Sequence, residues 1–505
     1  MKRLIIFILP IVLMTACVEN LDNWNVDQKK ATSVPPRTLF TNALKGIIDV
    51  VTTPNVNTNN FRMFVQYWAT TTYLDEPRYN MTQRLYSQNQ WYAAYRDALV
   101  DLKEAKELIN EDATLAPDLK ANQLALVEIA EVYCWNFLVN TFGDVPYTEA
   151  LDPNNVLPVY DNAATIYADL LTRLDAAIGM LNTNAGTFTN GNDVIYGGSA
   201  AKWKLFANSL KLRMGMLLAD VDAAKSRSVV EAAIAGGGSS LILLSSDNAK
   251  FPYISAPPNN NPVSANLNPL FSSREDFVMA NTIIDKMNDR FDPRRKFFFT
   301  KVDDGDPNLD KDYKGGNYGF SNAYADFSHV SAKIIEPTFE ALFIDASEVS
   351  FYLAEAKERG YNVPAMTFGP APGRTLSTAQ DFYNYGIETS ILYWGGTASE
   401  VTTYLAQDLV NYTNDKSGLT WQEKIGTQKW ISLNNRGWES WTEWRRLDFP
   451  KLSPPSGPSI PTALTIPTRM IYPVIEQTVN GDQWTTAAGR YNSDSPAAKL
   501  FWDTK

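Results

Sequence analysis

Histidine and cysteine are almost absent from this chain. One histidine, His329, and two cysteines, Cys17 and Cys134, occur among 505 residues. A single histidine with no nucleophile motif around it argues against a Ser-His-Asp hydrolase. The sequence also lacks zinc-ligand spacing and a glycine-rich phosphate-binding motif. Triad hydrolases, zinc enzymes and nucleotide-phosphate binding proteins are therefore disfavoured before any fold is considered.

Positive charge is in the minority. Forty-five Lys and Arg residues stand against 56 Asp and Glu residues, which gives a formal net charge of −11, and no long basic run interrupts this excess. Such a chain is a poor partner for nucleic acid or for an anionic membrane surface. Apolar residues make up 45% and aromatic residues 12%, enough for a substantial core.

Long apolar runs are confined to the N-terminus. A basic head, Lys2-Arg3, precedes an apolar stretch over residues 4–14, and small residues then lead to Cys17. This order predicts a lipoprotein signal peptide over residues 1–16, with Cys17 as the lipidated N-terminus, although Met14 stands where leucine is usual. Each acyl methylene contributes about 0.8 kcal/mol to membrane binding. We expect a lipid anchor at a membrane face outside the cytoplasm, a tether over residues 17–36 and one domain over residues 37–505.

Helical periodicity dominates the rest of the chain and predicts a mainly α fold. Apolar residues recur at helical spacing over residues 90–108, 118–140, 165–181, 200–218, 346–359 and 380–394. Gly143 is a stop signal for the second of these helices. Gly386 and Ser390 would let the last helix approach a neighbour closely. Paired helices without an exact repeat suggest a tetratricopeptide-like scaffold with few strands and a loop-rich face.

Several prominent residues are expected to be structural. Cys134 lies in an apolar helical context and should be an inert core thiol. Arg213 on an apolar helix needs a carboxylate partner if it is buried. Trp438, Trp441 and Trp444 can stack sugars, but the charged residues between them favour a packed amphipathic helix with ion pairs.

Five segments in this order resemble one known family. They are residues 133–147 (YCWNFLVNTFGDVPY), 203–213 (WKLFANSLKLR), 292–294 (DPR), 348–356 (EVSFYLAEA) and 441–446 (WTEWRR). Together with the lipoprotein signal they resemble the SusD/RagB family of nutrient-binding outer-membrane lipoproteins, in its SusD-like subgroup. The resemblance implies a surface protein on helix pairs that captures oligosaccharides, or peptides in some branches. It also implies a lid role on a SusC-type TonB-dependent transporter.

Sugar binding requires flat apolar platforms beside planar polar groups, and two loops offer this mixture. The alternative is that these aromatic residues pack on neighbouring loops. The candidate ligand-binding residues are Trp68, Tyr73, Glu76, Arg78, Tyr79 and Asn80 in the first loop, and Tyr313, Asn317 and Tyr318 in the second.

One acidic stretch has the alternating oxygen ligands of a calcium loop: Asp304, Asp306, Asn308 and Asp310. It lacks the glycine and the distal glutamate of a helix-loop-helix site, so a solvated acidic turn is the default interpretation and calcium binding is the alternative. No other cofactor is expected.

The sequence thus favours a non-catalytic, surface-exposed glycan-binding lipoprotein that acts as a transporter lid. Two alternatives stay open. Abundant carboxylates allow a glycoside hydrolase on a helical barrel, which would use a pair of them for catalysis. The second alternative is the same lid role with peptide cargo.

Overall fold

The structure is a computed structural model that describes residues 34–189, 191–302 and 312–505. The predicted lipidation site, Cys17, and the four calcium candidates, Asp304, Asp306, Asn308 and Asp310, lie outside these residues.

The described chain is mainly helical, as predicted, with eight short strands paired two by two. The helices are α1 (Pro36–Thr52), α2 (Phe61–Phe64), α3 (Tyr86–Ala94), α4 (Val100–Glu111), α5 (Pro117–Phe142), α6 (Ala163–Met180), α7 (Ala200–Leu217), α8 (Ala223–Ala233), α9 (Pro262–Leu267), α10 (Asn281–Asn288), α11 (Arg295–Phe298), α12 (Ala346–Glu358), α13 (Ala379–Trp394), α14 (Ala398–Leu405), α15 (Trp421–Ser432), α16 (Gly437–Leu447), α17 (Val474–Val479) and α18 (Gly481–Gly489). The strands are β1 (Trp68–Thr70), β2 (Val145–Pro146), β3 (Tyr160–Asp161), β4 (Ala249–Phe251), β5 (Phe277–Met279), β6 (Ala341–Ile344), β7 (Met366–Phe368) and β8 (Arg374–Leu376).

Local signals explain where the helices begin and end. The side chain of Asn162 caps α6, and Thr378 forms a capping box at the start of α13. Gly143 ends α5 with φ of 87°, as predicted. Pro36 starts α1, so the helix takes one residue from the predicted tether. The predicted helix over residues 90–108 is divided: a π-helical turn, Tyr95–Leu99, joins α3 to α4.

Consecutive helices pack as pairs: α5 with α6, α7 with α8 and α12 with α13. The expectation for Gly386 is confirmed, because a Cβ there would meet ring atoms of Phe351 on α12 at 3.0–3.1 Å.

Among the described residues, no single helix has the length and apolarity to cross a bilayer. One pair with a 91° bend, Ala223–Ala233 with Gly237–Asp247, meets those criteria when its two parts are taken together.

The core contains buried ion pairs beside its aromatic residues. Arg213 donates to both carboxylate oxygens of Glu348 at 2.7 and 2.9 Å, which supplies the predicted partner. Trp438, Trp441 and Trp444 of α16 are buried, as the packed-helix interpretation expects. Cys134 is buried too, and burial raises the pKa of its thiol. Glu348 lies between Arg213 and Arg436, and these two guanidinium groups lower its pKa in spite of its burial.

The strand pair β1–β5 positions the candidate functional site. It is antiparallel, with Trp68 opposite Met279 and Thr70 opposite Phe277. The pairing brings the loop after β1, residues 71–80, next to the segment before β5, residues 271–276, since Thr71 donates its backbone N–H to the carbonyl of Asp276 at 3.0 Å.

Candidate functional site

The two loops that the sequence predicts to bind sugar contact each other in the structure. Arg78 Nε donates to the carbonyl of Gly319 at 3.0 Å, and Asn322 Nδ2 donates to the carbonyl of Thr70 at 3.0 Å. The ring centroids of Tyr79 and Tyr318 are 6.3 Å apart. Residues 67–80 therefore contact residues 317–322, although about 240 positions of sequence separate the two segments.

Most of the predicted aromatic platforms are buried. Trp68, Tyr79 and Tyr318 lie in the core, Tyr318 with only 7% of its surface exposed. Its hydroxyl donates to the carbonyl of Met63 at 2.6 Å, and burial raises its pKa, as it raises that of Tyr79 to about 12. These rings support the site from within, so they offer no free face to a ligand in this structure.

Gly319, next to Tyr318, is required by close packing and by its backbone conformation. Gly319 has φ of +83°, and a Cβ there would lie 2.3 Å from Pro455. Its close approach to Pro455 explains the glycine.

Tyr73 is the exception among the aromatic candidates. Its side chain is 53% exposed and lines a cleft of about 180 Å³ between the loop after β1, the loop after α1 and the segment before β5. We call this the Tyr73 cleft. It is lined by Pro54, Asn55, Val56, Asn57, Thr70, Tyr73, Glu76, Arg84, Asn266, Leu267, Arg274, Asp276 and Phe277. The volume is smaller than the roughly 300–1,000 Å³ of pockets that enclose drug-sized ligands, so it suits part of a longer molecule.

Arg84 organises the polar side of the Tyr73 cleft. Its Nε donates to Glu76 Oε1 at 2.6 Å, and its guanidinium carbon lies 5.5 Å from the centroid of the Tyr73 ring. A cation–π contact between a guanidinium and an aromatic ring contributes about 0.5–1 kcal/mol at exposed sites. Arg84 therefore holds both the carboxylate and the aromatic ring in place.

The remaining walls combine amides with a second ion pair. Asn55, Asn57 and Asn266 bring carboxamide groups, and Arg274 Nη1 lies 3.1 Å from Asp276 Oδ2. Sequence reasoning missed these residues and also Thr70 and Arg84. The unusually long Pro- and Asn-rich segment over residues 250–273 was a usable signal for Asn266, and Arg274 follows directly after it.

Three polar candidates, Arg78, Asn80 and Asn317, do not line the Tyr73 cleft. Arg78 is held by the carbonyl of Gly319, and Asn80 Nδ2 donates to Asp75 Oδ1 at 3.0 Å. The backbone N–H of Asn317 donates to Asn322 Oδ1 at 2.7 Å, while its side chain is exposed. Ligand contact by these residues stays a prediction.

Tyr313 belongs to a different cleft. It lines a cleft of about 420 Å³ with Phe291, Tyr404 and several basic residues, and the guanidinium of Arg295 lies 5.5 Å from its ring centroid. Of the nine predicted ligand-binding residues, the structure thus places Tyr73 and Glu76 in one cleft and Tyr313 in another. Among the residues that the structure describes, no group of three His, Cys, Asp or Glu side chains could hold a metal ion.

Comparisons with known proteins cover nearly the whole chain. The family model described as "SusD-like: starch-binding associating with outer membrane" matches residues 28–473. No curated protein sequence gave a significant match.

Solved structures agree with the family model. A chitin-binding protein superposes with a TM-score of 0.78 at 24% identity and covers 93% of this chain and 100% of its own. A chitin-binding SusD homologue from Flavobacterium johnsoniae gives 0.72 at 23% identity, over 92% of this chain and 99% of its own. A SusD homologue from Bacteroides uniformis gives 0.71 at 25% identity, over 92% and 99%. These likenesses establish the helix-pair fold.

Proposed function

This chain belongs to the SusD-like family of starch-binding proteins that associate with the outer membrane, and on that premise we propose that it captures oligosaccharides at the cell surface. We propose further that it is a lipoprotein that closes as a lid over a SusC-type TonB-dependent transporter and delivers the captured glycan without transforming it.

The Tyr73 cleft is the observation that carries this proposal. A half-exposed aromatic ring can cover the C–H face of a pyranose, and the neighbouring amides and charged groups can pair with its hydroxyls. Tyr73, Glu76, Arg84 and Asn57 supply these groups within one cleft. Two similar structures are named as chitin-binding, which favours a glycan over a peptide as cargo.

The lipid anchor and the lid role extend this proposal to the membrane. Acylation of Cys17 would fix the chain to the outer membrane, and the tether over residues 17–36 would permit a hinge movement. Mass spectrometry of the mature protein is expected to show acyl chains on an N-terminal Cys17. An unmodified terminus, or protein recovered free in the culture fluid, would contradict the anchor.

Isothermal titration with a panel of oligosaccharides tests the binding function. We expect Tyr73→Ala to weaken binding about tenfold or more, because it removes an apolar platform worth about 1.5–3 kcal/mol when covered. Phe291→Ala is the matched control, since Phe291 is 51% exposed and lines the other cleft.

The titration, together with an analysis of products after long incubation, decides between the alternatives. Equal affinity of wild type and Tyr73→Ala would contradict the proposed site. Loss of affinity in Phe291→Ala alone would indicate that the ligand binds in the cleft that Phe291 and Tyr313 line. Release of shorter sugars during long incubation would favour the glycoside hydrolase. Binding of peptide mixtures without any glycan binding would favour peptide cargo.

A further inference from the structure

Two residues that line the Tyr73 cleft, Glu76 and Thr70, each have one buried side-chain oxygen without a hydrogen-bond partner among the residues that the structure describes. These oxygens are Glu76 Oε2 and Thr70 Oγ1. Glu76 and Thr70 are each only 1% exposed, and both line the cleft. Other side-chain atoms in the described chain share this condition, but none of them belongs to a residue that lines this cleft.

Such atoms need an explanation, because more than nine in ten buried polar groups in proteins have a partner. The other oxygen of Glu76, Oε1, has its partner in Arg84 Nε at 2.6 Å. The carboxylate is therefore held in a fixed orientation with one oxygen committed to the protein and the other uncommitted. The backbone of Thr70 is also fixed, by its place in β1 opposite Phe277 and by the Asn322 amide at its carbonyl.

The chemistry of these atoms defines the group that would pair with them. An ionised carboxylate only accepts hydrogen bonds, whereas a threonine hydroxyl both donates and accepts. A sugar hydroxyl can donate to Glu76 and accept from Thr70, and an amino or acetamido nitrogen can donate to Glu76. A carboxylate or sulfate on a sugar has no hydrogen to donate to Glu76.

The charges around the cleft also favour a ligand without negative charge. Its described lining contains two basic residues, Arg84 and Arg274, and each is paired with a carboxylate of the same cleft. An anionic sugar would have to displace one of these pairs and would face Glu76 and Asp276. A neutral or amino sugar would leave both pairs intact.

We propose that Glu76 and Thr70 determine the specificity of this cleft, and that they select neutral or amino-substituted glycans over uronate-containing or sulfated ones. This inference rests on the proposed function, because it names the class of glycan that the same site takes. Glu76 Oε2 accepts a hydrogen bond from the ligand, and Thr70 Oγ1 completes the polar contact.

Thr70→Val is the sharpest probe, because it replaces a hydroxyl that makes no hydrogen bond within the described protein by a methyl group of the same shape. We expect the melting temperature to stay equal or to rise, since an unpaired buried polar atom is removed. We expect affinity for the neutral oligosaccharide to fall about fivefold or more, as the loss of one ligand hydrogen bond predicts. Thr72→Val, at an exposed position two residues further along in the loop after β1, is the matched control.

Glu76→Gln is the second probe. Gln can still accept from Arg84 through one atom, but it then presents an N–H group where Glu76 Oε2 stood. We expect weaker binding of neutral and amino oligosaccharides and a smaller discrimination against an anionic one. Glu275→Gln, an exposed carboxylate outside the cleft, controls for the change in net charge.

The titrations use hexasaccharides from starch, chitin, chitosan and polygalacturonate with the full chain. Wild-type binding of a neutral or amino hexasaccharide, at least about tenfold tighter than that of oligogalacturonate, supports the inference together with the Thr70→Val loss. Equal affinity for oligogalacturonate, or wild-type affinity in both Thr70→Val and Glu76→Gln, overturns it. If Tyr73→Ala loses binding while these two variants keep it, the proposed function stands and this inference alone fails. If wild type binds none of the panel, both fail.

Discussion

Tyr73 and Tyr318 carry the same side chain in loops that touch, yet only Tyr73 presents its ring to solvent. Tyr318 donates its hydroxyl to Met63 and lies beside Tyr79, whereas the Tyr73 ring lies over Arg84 at the cleft wall. Both tyrosines occur in aromatic, non-periodic sequence, so the local sequence predicts ligand binding for both. The difference arises from partners far away in sequence.

Stability measurements should separate these two tyrosines. Tyr318→Phe removes one buried hydrogen bond and should lower the free energy of unfolding by about 1 kcal/mol. Tyr318→Ala also leaves a cavity and should cost about 3–5 kcal/mol. Urea denaturation followed by tryptophan fluorescence measures both, with Tyr73→Ala as the exposed control that should change little. Equal stability of Tyr318→Ala and wild type would show that Tyr318 is not packed as described.

Charged and thiol residues were easier to assign from sequence than the aromatic residues. Arg213 lies on an apolar helix and needed a carboxylate, and Glu348 supplies it. Cys134 followed from its apolar context. Arg84 carried no such signal: its role depends on contacts with both Glu76 and Tyr73, and sequence spacing alone does not predict that these three side chains meet.

At the scale of elements, the helices were predictable because local signals and hydrophobic periodicity agree. The predicted helix over residues 118–140 is Pro117–Phe142, and the one over 380–394 is Ala379–Trp394. Stop and cap residues such as Gly143 and Thr378 account for this agreement. The π-helical turn Tyr95–Leu99 was missed, because the apolar stripe continues through it.

Two helical glycines give a matched test of the α12–α13 contact. Gly386→Ala places a Cβ 3.0 Å from the Phe351 ring, and we expect it to lower the free energy of unfolding by about 1–3 kcal/mol. Gly179→Ala on α6 meets no atom within 4 Å and should be neutral or raise stability by up to about 1 kcal/mol. Chemical denaturation measures both, and a stabilising Gly386→Ala would contradict the close approach of the two helices.

At the scale of the whole molecule, the fold followed from the helix pairs and from the five family-like segments, and the family model confirms that membership. The cleft could not be assembled in the same way. It depends on the antiparallel pairing of β1 with β5, which joins residues that lie about 200 positions apart and brings Arg274 and Asp276 to Tyr73. Strands of three residues carry too little periodicity to predict such a pairing.

A crystal structure of the protein with its tightest-binding oligosaccharide tests the central claim most directly. The account predicts a sugar ring against the exposed face of Tyr73, with a ligand hydroxyl or nitrogen within hydrogen-bond distance of Glu76 Oε2. A ligand bound elsewhere, for example in the cleft of Phe291 and Tyr313, would contradict it.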